Sequence, residues 1–178
     1  PVTAQINSIE YNNPFACGGL GIIILHLSGA VHGNVYNIDF NSNGTTDFTG
    51  TVTNDSIIIA PVPNATSITN ITITNTLTNC SAFSNQGGTI TDPTNVQITN
   101  VGYVSPDTCG GLATLRIALT GATNGSNYNI DFENDGITNT SGTVLNDTIV
   151  LTGISPATVL TNLVITNTIS NCRSSSTQ

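Results

Sequence analysis

The sequence predicts an all-β protein built from two tandem immunoglobulin-like Greek-key β-sandwich domains. Residues 1–86 return without insertion or deletion as residues 93–178, and 38 of the 86 aligned positions are identical. Within each copy, glycines and asparagine-rich clusters interrupt alternating or β-branched apolar runs. No window shows a 3.6-residue period, and the density of Thr, Ile, Val and Asn disfavours helix. We therefore assign domains to residues 1–86 and 93–178, joined by a linker at 87–92.

Six strands are predicted in each copy. In the first copy they lie near residues 4–11, 20–28, 35–40, 45–52, 55–60 and 67–77. In the second copy they lie near residues 96–103, 112–120, 127–132, 137–144, 147–152 and 159–169. The third strand places Tyr36, Ile38 and Phe40 on one face, because side chains alternate along a strand. The same types recur at Tyr128, Ile130 and Phe132. We expect these residues to form core.

The predicted linker, residues 87–92, begins with two glycines and precedes Pro93. Fully extended it would span about 20 Å, which is enough to place two domains end to end. The second copy stops where another linker would begin, so we expect a longer array to continue beyond Gln178.

Each copy contains two cysteines in the same register, and this spacing predicts one disulfide within each domain. The expected pairs are Cys17 with Cys80 and Cys109 with Cys172, each closing the same loop. Such a bridge would stabilise a small domain by roughly 4 kcal/mol in the chain-entropy model. Four free thiols are the alternative, and zinc is disfavoured by the wide spacing. Disulfides predict an oxidising, extracellular location at the cell surface.

The charge composition excludes two classes of partner. The chain has ten acidic residues, two arginines and no lysine, which gives a net charge of −8. So few cations cannot neutralise nucleic-acid phosphates, and an anionic membrane surface would repel the chain. No apolar run reaches the 18 or so residues that would span a bilayer. The remaining expected partners are neighbouring repeats or subunits of the same array and an unidentified surface or glycan target.

One repeated motif has the spacing of a calcium loop, with oxygen side chains at positions 1, 3, 5 and 9 and glycine at position 6. The candidate Ca²⁺ ligands are Asp39, Asn41, Asn43 and Asp47 in the first copy and Asp131, Glu133, Asp135 and Asn139 in the second. Position 12 is glycine in both copies, where a calcium loop has a bidentate glutamate. The alternative is a plain hairpin turn, because Asn-Gly and Asp-Gly are strong turn dipeptides.

A second repeated motif, Asn-Asp followed by Ser or Thr and Ile, occurs at residues 54–57 and 146–149. It resembles the O-glycosylation sequon of Bacteroidota, which would make Ser56 and Thr148 the glycan acceptors. A tight turn whose Asp caps the backbone is the structural alternative, and both could hold together.

Catalytic groups do not recur between the copies. His26 and His32 are replaced by Ala118 and Asn124, so no Ser-His-Asp arrangement can exist twice. Paired carboxylates occur only in the Asp-rich turn, where turn or metal duty explains them better than glycoside hydrolysis. The sequence therefore predicts a protein that is not an enzyme.

Four features occur together in both copies: Cys-Gly-Gly at 17–19 and 109–111, the Tyr-x-Ile-x-Phe strand, the Asp/Asn-Gly turn, and a Thr-rich last strand ending in Asn-Cys. This combination resembles the tandem Cys-bracketed repeats of large Bacteroidota surface adhesins, including gliding-motility adhesins exported by the type IX secretion system. The resemblance implies an immunoglobulin-like fold, export, surface attachment and glycan decoration. In that family an Asp- and Gly-containing turn usually precedes the last cysteine, whereas here Thr78-Asn79 and Ser170-Asn171 do.

Three functions are compatible with these observations. The leading hypothesis is a non-enzymatic structural or adhesive repeat of an extracellular adhesin or filament, since tandem copies suit reach and multivalency. The second is a self-polymerising, pilus-like subunit that donates an edge strand, with 1–11 and 93–103 as candidate donors. The third is a calcium-dependent glycan-binding module, although aromatic residues for sugar stacking are few.

Overall fold

The computed structural model of this chain describes residues 3–176, so residues 1–2 and 177–178 of the predicted domains lie outside the described residues. The described part contains sixteen strands and no helix, which confirms the all-β class. Accordingly, it contains no helix that could cross a membrane. The chain divides into two compact units, residues 1–92 and 93–178. That each unit folds as an independent domain stays a prediction.

The first unit forms two main sheets and one short ladder. Its strands are β1 (Gln5–Asn12), β2 (Leu20–Ser28), β3 (Val35–Phe40), β4 (Phe48–Thr51), β5 (Ser56–Pro63), β6 (Ser67–Ile68), β7 (Ile71–Asn75), β8 (Ser81–Ser84) and β9 (Gly88–Thr89). One sheet has the order β1-β2-β5, the other β4-β3-β7-β8, and β6 pairs with β9. The chain changes sheet between β2 and β3 and again between β4 and β5, as the predicted Greek-key sandwich requires.

The second unit repeats this arrangement with seven strands. They are β10 (Gln97–Val104), β11 (Ala113–Thr120), β12 (Asn127–Asp131), β13 (Thr140–Leu145), β14 (Thr148–Ile154), β15 (Leu163–Asn167) and β16 (Arg173–Ser176). Their order is β10-β11-β14-β13-β12-β15-β16. The neighbours are those of the first unit, but β13 is long enough to pair with both β12 and β14. The ladder is therefore continuous where the first unit has two sheets.

Each unit has its own buried apolar core, to which strands on both sides of the unit contribute side chains. In the first core, Ile23 and Leu25 of β2 meet Ile38 of β3 and Ile73 of β7, and all four are fully buried. The predicted Tyr-x-Ile-x-Phe core residues lie in these clusters, with only Phe40 partly exposed. The two-residue alternation of the third strand therefore predicted correctly which side chains point into the core.

The predicted last strand of each copy is wrong in extent. In the first unit residues 67–77 split into β6 and β7 around Thr69, whose backbone and hydroxyl both donate to the Asn41 side chain. In the second unit only β15 forms within residues 159–169. Sequence patterning also missed β8 and its equivalent β16, because their serine-rich segments lack apolar alternation.

The segment predicted as a linker, residues 87–92, is instead part of the first unit. Gly88 and Thr89 form β9, and Ile90 is 0% exposed in the first core. Thr91 donates its backbone N–H to Asn13 Oδ1 at 2.9 Å, and Asp92 Oδ1 accepts from Gly18 at 3.0 Å. The glycine pair suggested flexibility, but burial of one isoleucine and its neighbouring hydrogen bonds hold the segment in place.

Candidate functional site

The first Asp-rich turn connects β3 to β4, and three of its four candidate ligands, Asp39, Asn43 and Asp47, bind the backbone of the same hairpin, whereas Asn41 binds Thr69. Asp39 accepts from the N–H of Asn43 at 3.0 Å and of Gly44 at 2.8 Å. Asp47 accepts from the N–H of Phe40 at 2.7 Å. The side-chain amide oxygen of Asn43 likewise accepts from the N–H of Thr45. These contacts are those of the hairpin-turn alternative.

The second turn, between β12 and β13, has the same design around Asp131, which is 7% exposed. Its Oδ2 accepts from Gly136 N at 2.9 Å, and its Oδ1 accepts from Glu133 N at 3.1 Å. Burial by itself raises the pKa of Asp131 through desolvation. The surrounding backbone N–H donors more than offset burial, so the pKa of Asp131 lies below its usual value of 3.8. Nearby, Asp135 and Asn139 each accept from a backbone N–H, at 2.8 Å and 2.6 Å.

The structure also explains the glycine at position 12 of the calcium pattern. Gly50 lies in β4, and a Cβ there would collide with the Ile57 side chain. A Cβ at Gly142 would collide with the Ile149 side chain in the same way. A glutamate at either position would therefore disrupt the core instead of reaching a cation. Among residues 3–176, no three His, Cys, Asp or Glu side chains form a group suited to a metal. Calcium binding stays a prediction.

The Asn-Asp motif forms a tight hairpin turn in both units. Asn54 and Asp55 have φ of 49° and 57°, and Asn146 and Asp147 have 49° and 54°. Two consecutive left-handed residues define a type I′ turn, for which Asn and Asp are suited. The motif therefore forms a tight turn in both units, which is one part of the structural alternative; capping by the Asp side chain stays a prediction.

The predicted glycan acceptors lie directly after this turn. Ser56 and Thr148 begin β5 and β14 and are partly exposed. The Ser56 hydroxyl lies 3.2 Å from His26 Nδ1, and the Thr148 hydroxyl donates to the Asn146 carbonyl at 3.3 Å. Glycosylation at these two hydroxyls stays a prediction.

A polar cluster on the outer face of β1, β2 and β5 was not predicted from the sequence. His26 Nδ1 faces Ser56 Oγ, and His26 Nε2 lies 3.6 Å from Glu10 Oε2. The order Glu-His-Ser matches a hydrolase triad, but the side chains of Glu10 and His26 are about half exposed on a sheet face. The second unit has Gly102, Ala118 and Thr148 at these positions, so the cluster is not part of the repeated framework. Strand register could have revealed it, since His26 pairs with Ser56.

The predicted disulfide pairs are wrong. Cys80 and Cys109 are free thiols, whereas Cys17 and Cys172 are disulfide-bonded. Cys17 lies just before the first residue of β2, and Cys80 lines a cavity with Gly29, which follows the last residue of β2. A nine-residue strand spans about 30 Å, whereas a bridge needs Cα atoms within about 7 Å. Equal sequence spacing therefore did not bring Cys17 and Cys80 together.

The same separation applies in the second unit. Cys109 lies just before β11, whereas the Cys172 carbonyl accepts from Asn167 N at the last residue of β15. Asn167 pairs with Tyr128 of β12. Tyr128 has the position in the second unit that Tyr36 has in the first, and Tyr36 lines the same cavity as Cys80. Cys109 and Cys172 are thus at opposite ends of their unit.

The predicted edge-strand donors are both paired within their own units. Residues 5–12 form β1, which pairs antiparallel with β2, and residues 97–104 form β10, which pairs with β11. Each lies at the edge of its sheet. Strand donation by these segments stays a prediction.

No family model and no curated protein matches this chain. Similar solved structures include the human OSCAR ligand-binding domain, with 8% identity and a TM-score of 0.36 over all of both chains. A tetra-tandem repeat from the extending region of a large adhesion protein matches 98% of this chain and 47% of its own, with 14% identity and a TM-score of 0.32. The BSP domain of a biofilm-associated protein matches 95% of this chain and 28% of its own, with 17% identity and a TM-score of 0.28. At such identities and TM-scores, these likenesses assign neither family nor activity.

Proposed function

We propose that this chain is a non-enzymatic structural repeat of an extracellular surface adhesin or filament, in which each copy adds reach. The proposal rests on one observation, which is the set of polar residues that are identical in the two copies. Identical polar residues recur where the backbone needs them, as at the left-handed Asn54 and Asn146 and the capping Asp39 and Asp131. A protein selected to repeat a framework would keep such positions and let its surfaces vary.

The unshared residues support the same proposal. The Glu10, His26 and Ser56 cluster is the arrangement nearest to a catalytic group in the part of the chain we describe, and the second copy lacks all three residues. It lies on an open sheet face, whereas hydrolase triads act beside a pocket with an oxyanion site. Its contacts are those of ordinary cross-strand pairs.

An extracellular location is the second part of the proposal. Cys17 and Cys172 are disulfide-bonded, and such bonds persist in oxidising compartments. The net charge of −8 and the absence of lysine also suit an extracellular surface that does not bind nucleic acid.

Force spectroscopy of the full chain, held at its two ends under reducing conditions, tests the spacer role. Two unfolding events are expected, each releasing about 30 nm, because each unit has about 90 residues at roughly 3.4 Å per residue. A single event of about 60 nm, or extension without resistance, would contradict the proposal. The Ser56→Ala variant controls for catalysis: a panel of chromogenic esters should be hydrolysed no faster by the native chain than by this variant.

A further inference from the structure

The outer face of the first unit carries a row of three side chains across strands β1, β2 and β5. Glu10 pairs with Ile24, and Ile24 pairs with Ile58, so the three side chains lie next to one another. Ile58 is 59% exposed, and Glu10 is also exposed. Neighbouring strands lie about 4.8 Å apart, so the row is about 10 Å long. This acidic-aliphatic row has a carboxylate at one end and two aliphatic side chains beyond it.

The second unit has a cation at the equivalent place on its own outer face. Arg116 occupies the position of Ile24, and it pairs with Gly102 on one side and Val150 on the other. Gly102 has no side chain, so the space beside Arg116 is open. Within residues 3–176 the exposed Arg116 has no acidic partner. The second unit therefore presents a guanidinium group where the first unit presents an isoleucine.

A groove continues the row of the second unit beyond Val150, between strands β14 and β13. The groove has a volume of about 400 Å³ and no charged lining residue. Its lining residues are Gly125, Thr143, Val144, Leu145, Thr148 and Val150. Leu145 is 69% exposed and Val150 is also exposed, so the groove offers open apolar surface to a partner.

The acidic-aliphatic row fits this surface in spacing as well as in charge. Strands β11, β14 and β13 are consecutive neighbours in the second unit, as β1, β2 and β5 are in the first. Glu10 of one copy can be placed over Arg116 of another. Because both sheets have the same strand spacing, the next strand then brings Ile24 over Val150. The third strand brings Ile58 over the groove.

We propose that these two faces form an interface between copies of the chain, in which the first unit of one copy binds the second unit of another. The proposal does not rest on the adhesin assignment. The ion pair between Glu10 and Arg116 fixes the register, and the aliphatic side chains beside it supply apolar contact. Because the two faces differ, the contact is heterologous, and association can extend beyond a dimer.

Charge decides which faces meet. Both arginines of the chain lie in the second copy and the chain has no lysine, so two first-unit faces would offer Glu10 neither arginine nor lysine. Two second-unit faces would lack the carboxylate, because Gly102 stands at the position of Glu10. Only contact between a first-unit face and a second-unit face joins the carboxylate to the guanidinium.

The test is sedimentation equilibrium of the full chain over a range of concentrations. Thr148 lines the groove, so the chain is produced without glycosylation. The free thiols Cys80 and Cys109 are blocked with iodoacetamide, which prevents disulfide exchange between copies. The buffer contains about 0.15 M salt, which screens the net charge of −8 on each copy beyond ~8 Å. The average mass should rise with concentration, with an apparent Kd between about 10 µM and 1 mM.

Charge reversal identifies the two faces. Glu10→Arg and Arg116→Glu should each raise the apparent Kd at least about tenfold, because like charges then face each other. The variant with both changes should return to within about threefold of the native value, because the pair is restored with its signs exchanged. Ile58→Thr should also raise the Kd by about fivefold or more, because it removes apolar contact and keeps a β-branched side chain on the strand.

Two control variants make the same changes of net charge outside the proposed interface. Glu133→Arg matches Glu10→Arg, and Arg173→Glu matches Arg116→Glu, and each should stay within about threefold of the native Kd. The proposal is overturned if the native chain stays monomeric up to about 1 mM, if Arg116→Glu associates as the native chain does, or if the double variant associates no better than the single variants. Rescue by the double variant cannot arise from a folding defect in either single variant.

Discussion

Replacing Ile90 with alanine should destabilise the first unit as a core substitution does, although this residue lies in the segment predicted as a linker. Ile90 is fully buried, and the change removes three carbon atoms from the core. The lost transfer free energy is about 2.4 kcal/mol at ~0.8 kcal/mol per buried carbon. A cavity adds to this, and the measured range for Ile→Ala substitutions is about 2–5 kcal/mol. We expect about 3 kcal/mol.

Urea unfolding followed by far-UV circular dichroism gives the magnitude, and hydrogen exchange assigns the loss to the first unit. A change of this size lowers the Tm of a unit of about 90 residues by roughly 12–20 °C. Leu77→Ala is the matched control, because Leu77 is 80% exposed and lies between β7 and β8. It should cost no more than about 0.5 kcal/mol.

Two results would refute this reasoning. Equal effects of Ile90→Ala and Leu77→Ala would mean that residues 87–92 are a free connection, as composition alone suggests. Loss of hydrogen-exchange protection mainly in residues 93–178 would mean that Ile90 supports a different core.

Gly21→Ala should weaken protection of the β9 amides, because its Cβ would lie 2.6 Å from Ile90 Cγ2; unchanged exchange would contradict this. Asp131→Ala should destabilise the second unit at pH 7, and the difference from the native chain should start to shrink as the pH falls below about 3.8 and continue to shrink through the lower folded pKa of Asp131. The folded pKa is depressed, so the ionised group stabilises the fold above its unfolded pKa, and a Tm profile between pH 7 and 2 measures this. Iodoacetamide should label two thiols without reductant, Cys109 faster than Cys80, because Cys109 is more exposed; mass spectrometry showing four labels would refute it. Tm values in EDTA and in millimolar Ca²⁺ distinguish the two alternatives for the Asp-rich turns: plain hairpin turns, whose carboxylates accept from backbone N–H groups, should give equal values within about 1 °C, and a calcium loop should give a higher Tm with Ca²⁺.

The sequence correctly predicted structural features that depend only on neighbouring residues. Alternation in residues 35–40 identified the inward face, and the Asn54-Asp55 pair identified a turn that needs two left-handed residues. In both cases the physical cause lies within a few residues of the signal. Such features can be read without knowledge of the rest of the fold.

Long-range contacts explain what the sequence did not predict. The two cysteines have the same spacing in both copies, but only the path of β2 reveals that Cys17 and Cys80 lie at opposite ends of the first unit. The place of Ile90 likewise depends on the missing Cβ of Gly21, more than sixty residues earlier. Short polar strands such as β8 are stabilised by their pairing with β7 rather than by their own apolar residues.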